Sequence, residues 1–139
     1  MLSDSLVTNE IKNYSGVEVE FNRWTIGPTS TIFRASTANP SAWTEMIISH
    51  QESGKGLDRV RRSMLRFNYP AVGMVDSTKT CMSSFHLVGT IPIGQLTDLN
   101  YAKMPLAMLL SFAATTGAGT TVLFDGTGNG AKALLEGSL

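Results

Sequence analysis

The stretch "RVRRSMLRFNYP", Arg59 to Pro70, sets four arginines within eight residues of a chain whose net charge is zero. Toward its end it alternates. Leu65, Phe67 and Tyr69 fall on one side of an extended chain, and Met64, Arg66 and Asn68 on the other, which Arg62 extends. One side suits a core; the other is a row of cationic and hydrogen-bonding groups. Arg61 and Arg62 cannot share a side, so one of them must snorkel or lie beyond the edge of the core. Parity puts Arg59 and Arg61 with the apolar side, near the preceding turn.

Further strands are expected on either side. "GVEVEFNRWTI" (Gly16 to Ile26) alternates Val17, Val19 and Phe21 against Glu18, Glu20 and Asn22, the period of a half-buried strand. "TIFRAST" offers a short run before the turn "ANPS", and "AWTEMIISHQ" (Ala42 to Gln51) offers another. In the latter, Ser49 and Gln51 are assigned to the polar side, and Met46 and Ile48 to the apolar side. "ESGKG" reads as a hairpin loop leading into the arginine strand, which is expected to end at Pro70. A connection from Ala71 to Lys79 then precedes a last strand in "TCMSSFHLVGTIPI" (Thr80 to Ile93). There Phe85 and Leu87 take the buried side, opposite Ser84 and His86.

After Ile93 the pattern becomes helical. "TDLNYAKMPLAMLLSFAATTGAG" carries a cap candidate in Thr97 or Asp98, apolar residues at helical spacing and a glycine stop. Pro105 predicts a kink, or a helix that starts near it. "AKALLEG" suggests a short final helix. Strands followed by helices indicate an α+β domain with an antiparallel sheet, about 1–93 β and about 94–139 helical, in a single 1–139 domain. One helix of about four turns covers only part of such a sheet. A second copy related by a two-fold axis is the simplest cover for the remainder.

Composition narrows the functions. At 42% hydrophobic and 16% charged, the chain is globular and short of charge, as expected where surface is buried against further copies. Neutrality argues against general nucleic-acid coating and leaves a local basic face open. Six of the eleven Lys/Arg residues lie between Lys55 and Lys79, where only Asp58 and Asp76 oppose them. A single cysteine, Cys81, precludes an intrachain disulfide or thiolate metal cage and favours folding in the cytoplasm. No signal peptide is expected, and the longest apolar tract, Met104 to Ala114, falls far short of a membrane span. No metal site or cofactor is expected.

Catalysis would need Cys81 or Ser84 paired with His50 or His86, the only two histidines, and no nucleophile-elbow or oxyanion motif accompanies them. "DGTGNGAK" looks like a phosphate loop but lacks the required spacing, and Ala133 follows Lys132. The chain is therefore not expected to be an enzyme. Arginines set among Ser, Asn, Gln and His suit an RNA stem, with phosphates held by Arg and loop bases by stacking or amide contacts. The same row reads equally as an ordinary solvated sheet face.

A basic strand ending in aromatic-x-aromatic-Pro ("FNYP"), a loop, a strand closing in "FHLVGTIPI" and then the helix "LNYAKMPLAMLLSF" together resemble the coat proteins of single-stranded RNA bacteriophages, the leviviruses. The ordered resemblance spans nearly the whole chain. It implies an N-terminal hairpin and a five-stranded antiparallel sheet followed by two C-terminal helices. Two such subunits would make an intertwined homodimer with a ten-stranded sheet, its helices crossing the partner's sheet, and dimers would build an icosahedral shell in the host cytoplasm. The other sheet face would look inward at genomic RNA and bind a stem-loop at the replicase start, repressing translation. A maturation protein would be a further partner in the virion.

By position, the resemblance assigns Ser49, Gln51, Arg62, Met64, Arg66, Asn68, Ser84 and His86 to the RNA face. The dimer interface would take Leu99, Met104, Leu106, Leu109, Leu110 and Phe112. Residues 71–79 correspond to the loop lining symmetry axes. Two departures stand out: the family usually has threonine or lysine near Met64, which bears on its adenine pocket, and Pro105 interrupts the main helix. The alternatives to a shell are a small dimeric RNA-binding module and a hydrolase using His86 with Ser84 or Cys81.

Overall fold

A computed structural model describes residues 2–35, 42–116, 122–123 and 129–137. The chain divides into two compact units, Met1–Thr8 with Glu20–Gln95, and Asn9–Val19 with Leu96–Leu139.

The first unit is an antiparallel meander in which strand order equals chain order: β1 (Ser5–Leu6), β2 (Phe21–Ile26), β3 (Ser30–Ala35), β4 (Thr44–Ser53), β5 (Val60–Val72) and β6 (Thr80–Ile91). The sheet thus has six strands, the sixth being the two-residue β1 paired to β2. Met46 opposes Phe67 and Ile48 opposes Leu65, so the expected register of β4 is the observed one. The apolar face holds the core. Phe21 and Phe33 are 1% and 0% exposed, joined by Leu6, Ala35 and Met46, and Phe21 meets Phe67 edge-on at 6.0 Å. This core lies on β1–β4. Toward β6 the same face opens, and Phe85 and Tyr69 are exposed.

Two strand limits differ from expectation. The alternation of residues 16–26 is split: β2 begins at Phe21, while Ile11 to Val19 form a separate hairpin in the second unit, closed by bonds from Asn13 N to Val17 O (2.9 Å) and Val19 N to Ile11 O (2.9 Å). Hydrophobic period alone does not distinguish one strand from two. β5 runs through Pro70 to Val72, because the β4 ladder ends at Asn68 and a proline beyond it breaks no bond on that side. The connection accordingly shortens to residues 73–79. It is closed by Gly73 N to Lys79 O (2.8 Å) and by Asp76, whose carboxylate accepts from Thr78 N (3.0 Å) and Oγ1 (2.6 Å). Those bonds from Thr78, with Lys79 nearby, hold the Asp76 carboxyl below its ordinary pKa. Met74 and Val75 at the loop tip are fully exposed.

The β4–β5 hairpin needs left-handed backbone at Gly54 (φ +82°) and Gly56 (φ +58°). After β6 the chain returns to this hairpin, and Gly94 N donates to Arg59 O at 2.9 Å. A Cβ at Gly94 would sit 2.5 Å from Gly56 O and 2.6 Å from Leu57 O, so only glycine fits.

In the second unit, α1 (Asn100–Ala113) and α2 (Asn129–Glu136) are the C-terminal helices. Asp98 Oδ1 accepts from Asn100 N at 2.7 Å and so satisfies the first helical donor, as a cap would. The helix therefore starts before Pro105 and contains it. Two-residue strands at Thr115–Thr116 and Val122–Leu123 pair between the helices. The glycine-rich run at 124–128 lies outside the described residues. No helix among the described residues is long and apolar enough to cross a membrane.

Candidate functional site

Cross-strand pairing assigns the polar side chains of the sheet to one face. Across it run the rows Asn22–Arg34–Glu45–Asn68–Ser84, Ile32–Ile47–Arg66–His86, Ser30–Ser49–Met64–Val88 and Gln51–Arg62–Thr90. All eight residues assigned from sequence to a polar face, Ser49, Gln51, Arg62, Met64, Arg66, Asn68, Ser84 and His86, therefore share one side of β4–β6. Between them lies an apolar floor of Ile32, Ile47, Met64 and Val88.

Asn68 differs from the others. It is 6% exposed, enclosed between β4 and β6, and its Oδ1 accepts from Arg66 Nε at 2.7 Å. It cannot meet a ligand directly; it holds the half-buried Arg66 guanidinium along the face instead. His86 stands exposed opposite Arg66.

The four arginines of the opening stretch fall into two pairs. Arg61 grips Glu52 through Nε (3.0 Å) and Nη2 (2.8 Å), and Arg59 Nε lies 3.7 Å from the same carboxylate. Glu52 is held below its ordinary pKa, first by the hydrogen bond from Arg61 and then by the charges of Arg61 and Arg59. These two arginines flank the hairpin end on the apolar side and share the one Glu52 carboxylate there. Arg62 and Arg66, on the polar face, have no carboxylate within ion-pair distance among the described residues. The face thus keeps net positive charge where a polyanion could use it.

A further cluster on this face is not apparent from sequence. Trp24 and Trp43 stack at 6.2 Å with 28° between their rings, and Arg34 packs against both, its Cζ 4.6 Å and 5.4 Å from the ring centres. Arg34 Nε also donates to Glu45 at 2.8 Å. The signals in the sequence are two tryptophans flanking a strand, each with the parity of a polar-face residue, Trp24 with Asn22 and Trp43 with Glu45.

On the apolar face, a cavity lined by Arg23, Thr29, Phe33, Ile48 and His50 belongs to the core side. His50 Nδ1 bonds Ser63 Oγ at 2.9 Å, and so pairs with neither Cys81 nor Ser84. His86 and Ser84 share a face two residues apart, about 7 Å along the strand. Cys81 is free and exposed, with its register on the opposite face. No group of three or more metal-ligating side chains occurs among the described residues.

Outside the sheet, α1 is apolar nearly all round. Lys103 is its only charged residue, and none of its side chains is buried within the chain. The expected interface residues Leu99, Met104, Leu106, Leu109, Leu110 and Phe112 are all exposed.

No family model matches the chain, and no curated protein does. Solved structures do. The bacteriophage EMS014 coat protein superposes with a TM-score of 0.57 at 14% identity, over 76% of this chain and 70% of that one. The virus-like particle of bacteriophage EMS014 gives 0.60 at 10% identity, over 87% and 88%. That of bacteriophage AVE019 gives 0.59 at 8% identity, over 97% and 93% of the two chains. A meander sheet followed by two helices, matched across nearly its whole length, gives this chain the fold of bacteriophage coat proteins.

Proposed function

We propose that the chain is the coat subunit of a single-stranded RNA bacteriophage, assembling through dimers into an icosahedral shell around its genome. The observation that carries this reading is α1. A helix apolar nearly all round is normally a buried helix, yet no residue of α1 is buried within its own chain. A second copy provides the missing cover. The sheet edge supports the same reading. β6 is twelve residues long, lies at the end of the sheet and contains no Lys, Arg, Asp, Glu or Pro to block pairing. Two β6 edges joined about a two-fold axis make one continuous sheet from two subunits. α1 of each subunit is then free to cover the partner's exposed Phe85 and Tyr69 side.

The polar face remains open in such a dimer and turns toward RNA. Arg62 and Arg66 take phosphates; Ser49, Gln51, Ser84 and His86 take sugars and base edges. Genomic stem-loops are the ligand, the replicase start among them. In this reading the altered residue at Met64 changes the base preference rather than the site, and a maturation protein completes the virion.

Electron microscopy of the purified chain tests this. Uniform closed particles containing RNA are expected. Material that stays at monomer mass across salt and concentration would refute the reading, and stable RNA-binding dimers without particles would replace it by a small RNA-binding module. A finer check is Arg66→Ala. It should leave the dimer folded, weaken RNA binding and reduce the dependence of log K on log salt by roughly 0.7–0.9 for each phosphate that the side chain neutralises. An unchanged affinity and slope would remove Arg66 from the interface.

A further inference from the structure

The polar face holds two kinds of arginine environment, and they call for different ligands. Arg62 and Arg66 are unpaired cations suited to phosphate. Arg34 is different: Glu45 takes its Nε at 2.8 Å, and the guanidinium packs against two indoles. With its charge offset, Arg34 adds flat π surface rather than net attraction for phosphate.

The backbone provides specifically for this cluster. Between Arg23 and Thr25 the β2–β3 register shifts, so Trp24 is the extra residue of a bulge. Arg23 before it points to the apolar face, where it lies over Phe33 at 5.6 Å. Alternation from Asn22 carries Trp24 to the polar face, toward Trp43, which extends the parity of Glu45 just before β4, and the bulge brings Thr25, opposite Ile32, onto that same face. Trp24 nevertheless remains 59% exposed. A large aromatic standing at a bulge on a cationic face, packed against a second indole and an arginine yet more than half exposed, has the form of a stacking platform.

We propose that Trp24 and Trp43, braced by Arg34, form a stacking subsite for an unpaired RNA base. The site rests on the reading of the polar face as the RNA surface and specifies it further. The bound RNA carries a single-stranded base next to the segment whose phosphates Arg66 holds. Arg34 on β3 and Asn68 on β5 share a row two strand spacings apart, about 10 Å, which brings both contacts within one short RNA segment. Stacking is tolerant of sequence, with purines favoured for their larger π-face.

Trp24 and Trp43 are the only tryptophans in the chain, so intrinsic emission reports on this site alone. The full chain, freed of copurified nucleic acid, is titrated with short oligoadenylate RNA and, separately, with inorganic polyphosphate, binding being followed independently by filter retention. Oligoadenylate should quench the emission in step with binding, whereas polyphosphate should bind without quenching. Trp24→Ala should lower RNA affinity by about ten-fold or more, and Trp24→Phe should keep most of it. If RNA binds while emission is unchanged and both variants bind as the parent does, the stacking site is wrong. An effect of Arg66→Ala in that same experiment would leave the RNA face standing. If no oligonucleotide binds at all, the two readings fall together.

Discussion

Replacing Leu110 with aspartate should abolish particle formation and leave a soluble, folded, low-mass species. Leu110 is exposed in the single chain, on a helix with no buried residue and only one charge. Within one subunit, an aspartate there touches water and costs little. At the proposed two-fold interface it would be buried without a partner, at about 3 to 5 kcal/mol, and symmetry would place it there twice. Dimer affinity should therefore fall by several hundred-fold or more. Analytical ultracentrifugation with circular dichroism separates the two effects: normal spectra with reduced mass support the interface, whereas normal particles would exclude α1 from it. Leu110→Met, nearly conserving volume, should assemble normally.

The second large effect concerns the fold itself. Phe33→Ala should destabilise the subunit by about 3 to 5 kcal/mol, since Phe33 is fully buried in the middle of β3 and lies beneath the Arg23 guanidinium. Judged from sequence alone, Phe67 is the natural anchor, as the aromatic centre of the alternating strand. In the single chain it is only half-buried, because the core gathers on β1–β4 and the face opens toward β6. Phe67→Ala should therefore cost the isolated subunit less than Phe33→Ala. Denaturant titration at fixed protein concentration compares the two; equal losses would place the core further toward β6 than the packing indicates.

Much of this architecture is legible in the amino-acid pattern. Parity in residues 64–69 and 84–87 assigns side chains to the two faces correctly, because β5 and β6 are regular and alternate without interruption, but it does not give burial: Tyr69 and Phe85 lie on the apolar face and are exposed in the single chain. The β4 assignment agrees for the same reason: once Met46 and Ile48 point inward, Ser49 and Gln51 must point outward. Where parity breaks, the pattern misleads. Nothing in "FNRWTI" announces the bulge that puts Thr25 on the same face as Trp24, and parity alone does not say that Trp24 and Trp43, from different strands, meet across Arg34. Pro70 resembles a terminator because its tolerance depends on where the neighbouring β4 ladder ends, a long-range fact. Asn68 resembles an exposed contact because alternation gives direction, not depth; its enclosure comes from Glu45 and Ser84 on the flanking strands.

Strand order equal to chain order has a consequence for how the subunit is made. Each strand of the meander pairs with the one synthesised just before it, so β2 to β6 can zip one hairpin at a time behind the ribosome, with only short loops to close. The adhesive parts, the bare β6 margin and the oily α1, emerge only after β1 to β5. A nascent chain therefore holds little that would stick to its neighbours on the same message until the rest of the sheet is in place. In the proposed coat subunit, this order of synthesis would leave the surfaces that join copies until the sheet behind them has formed.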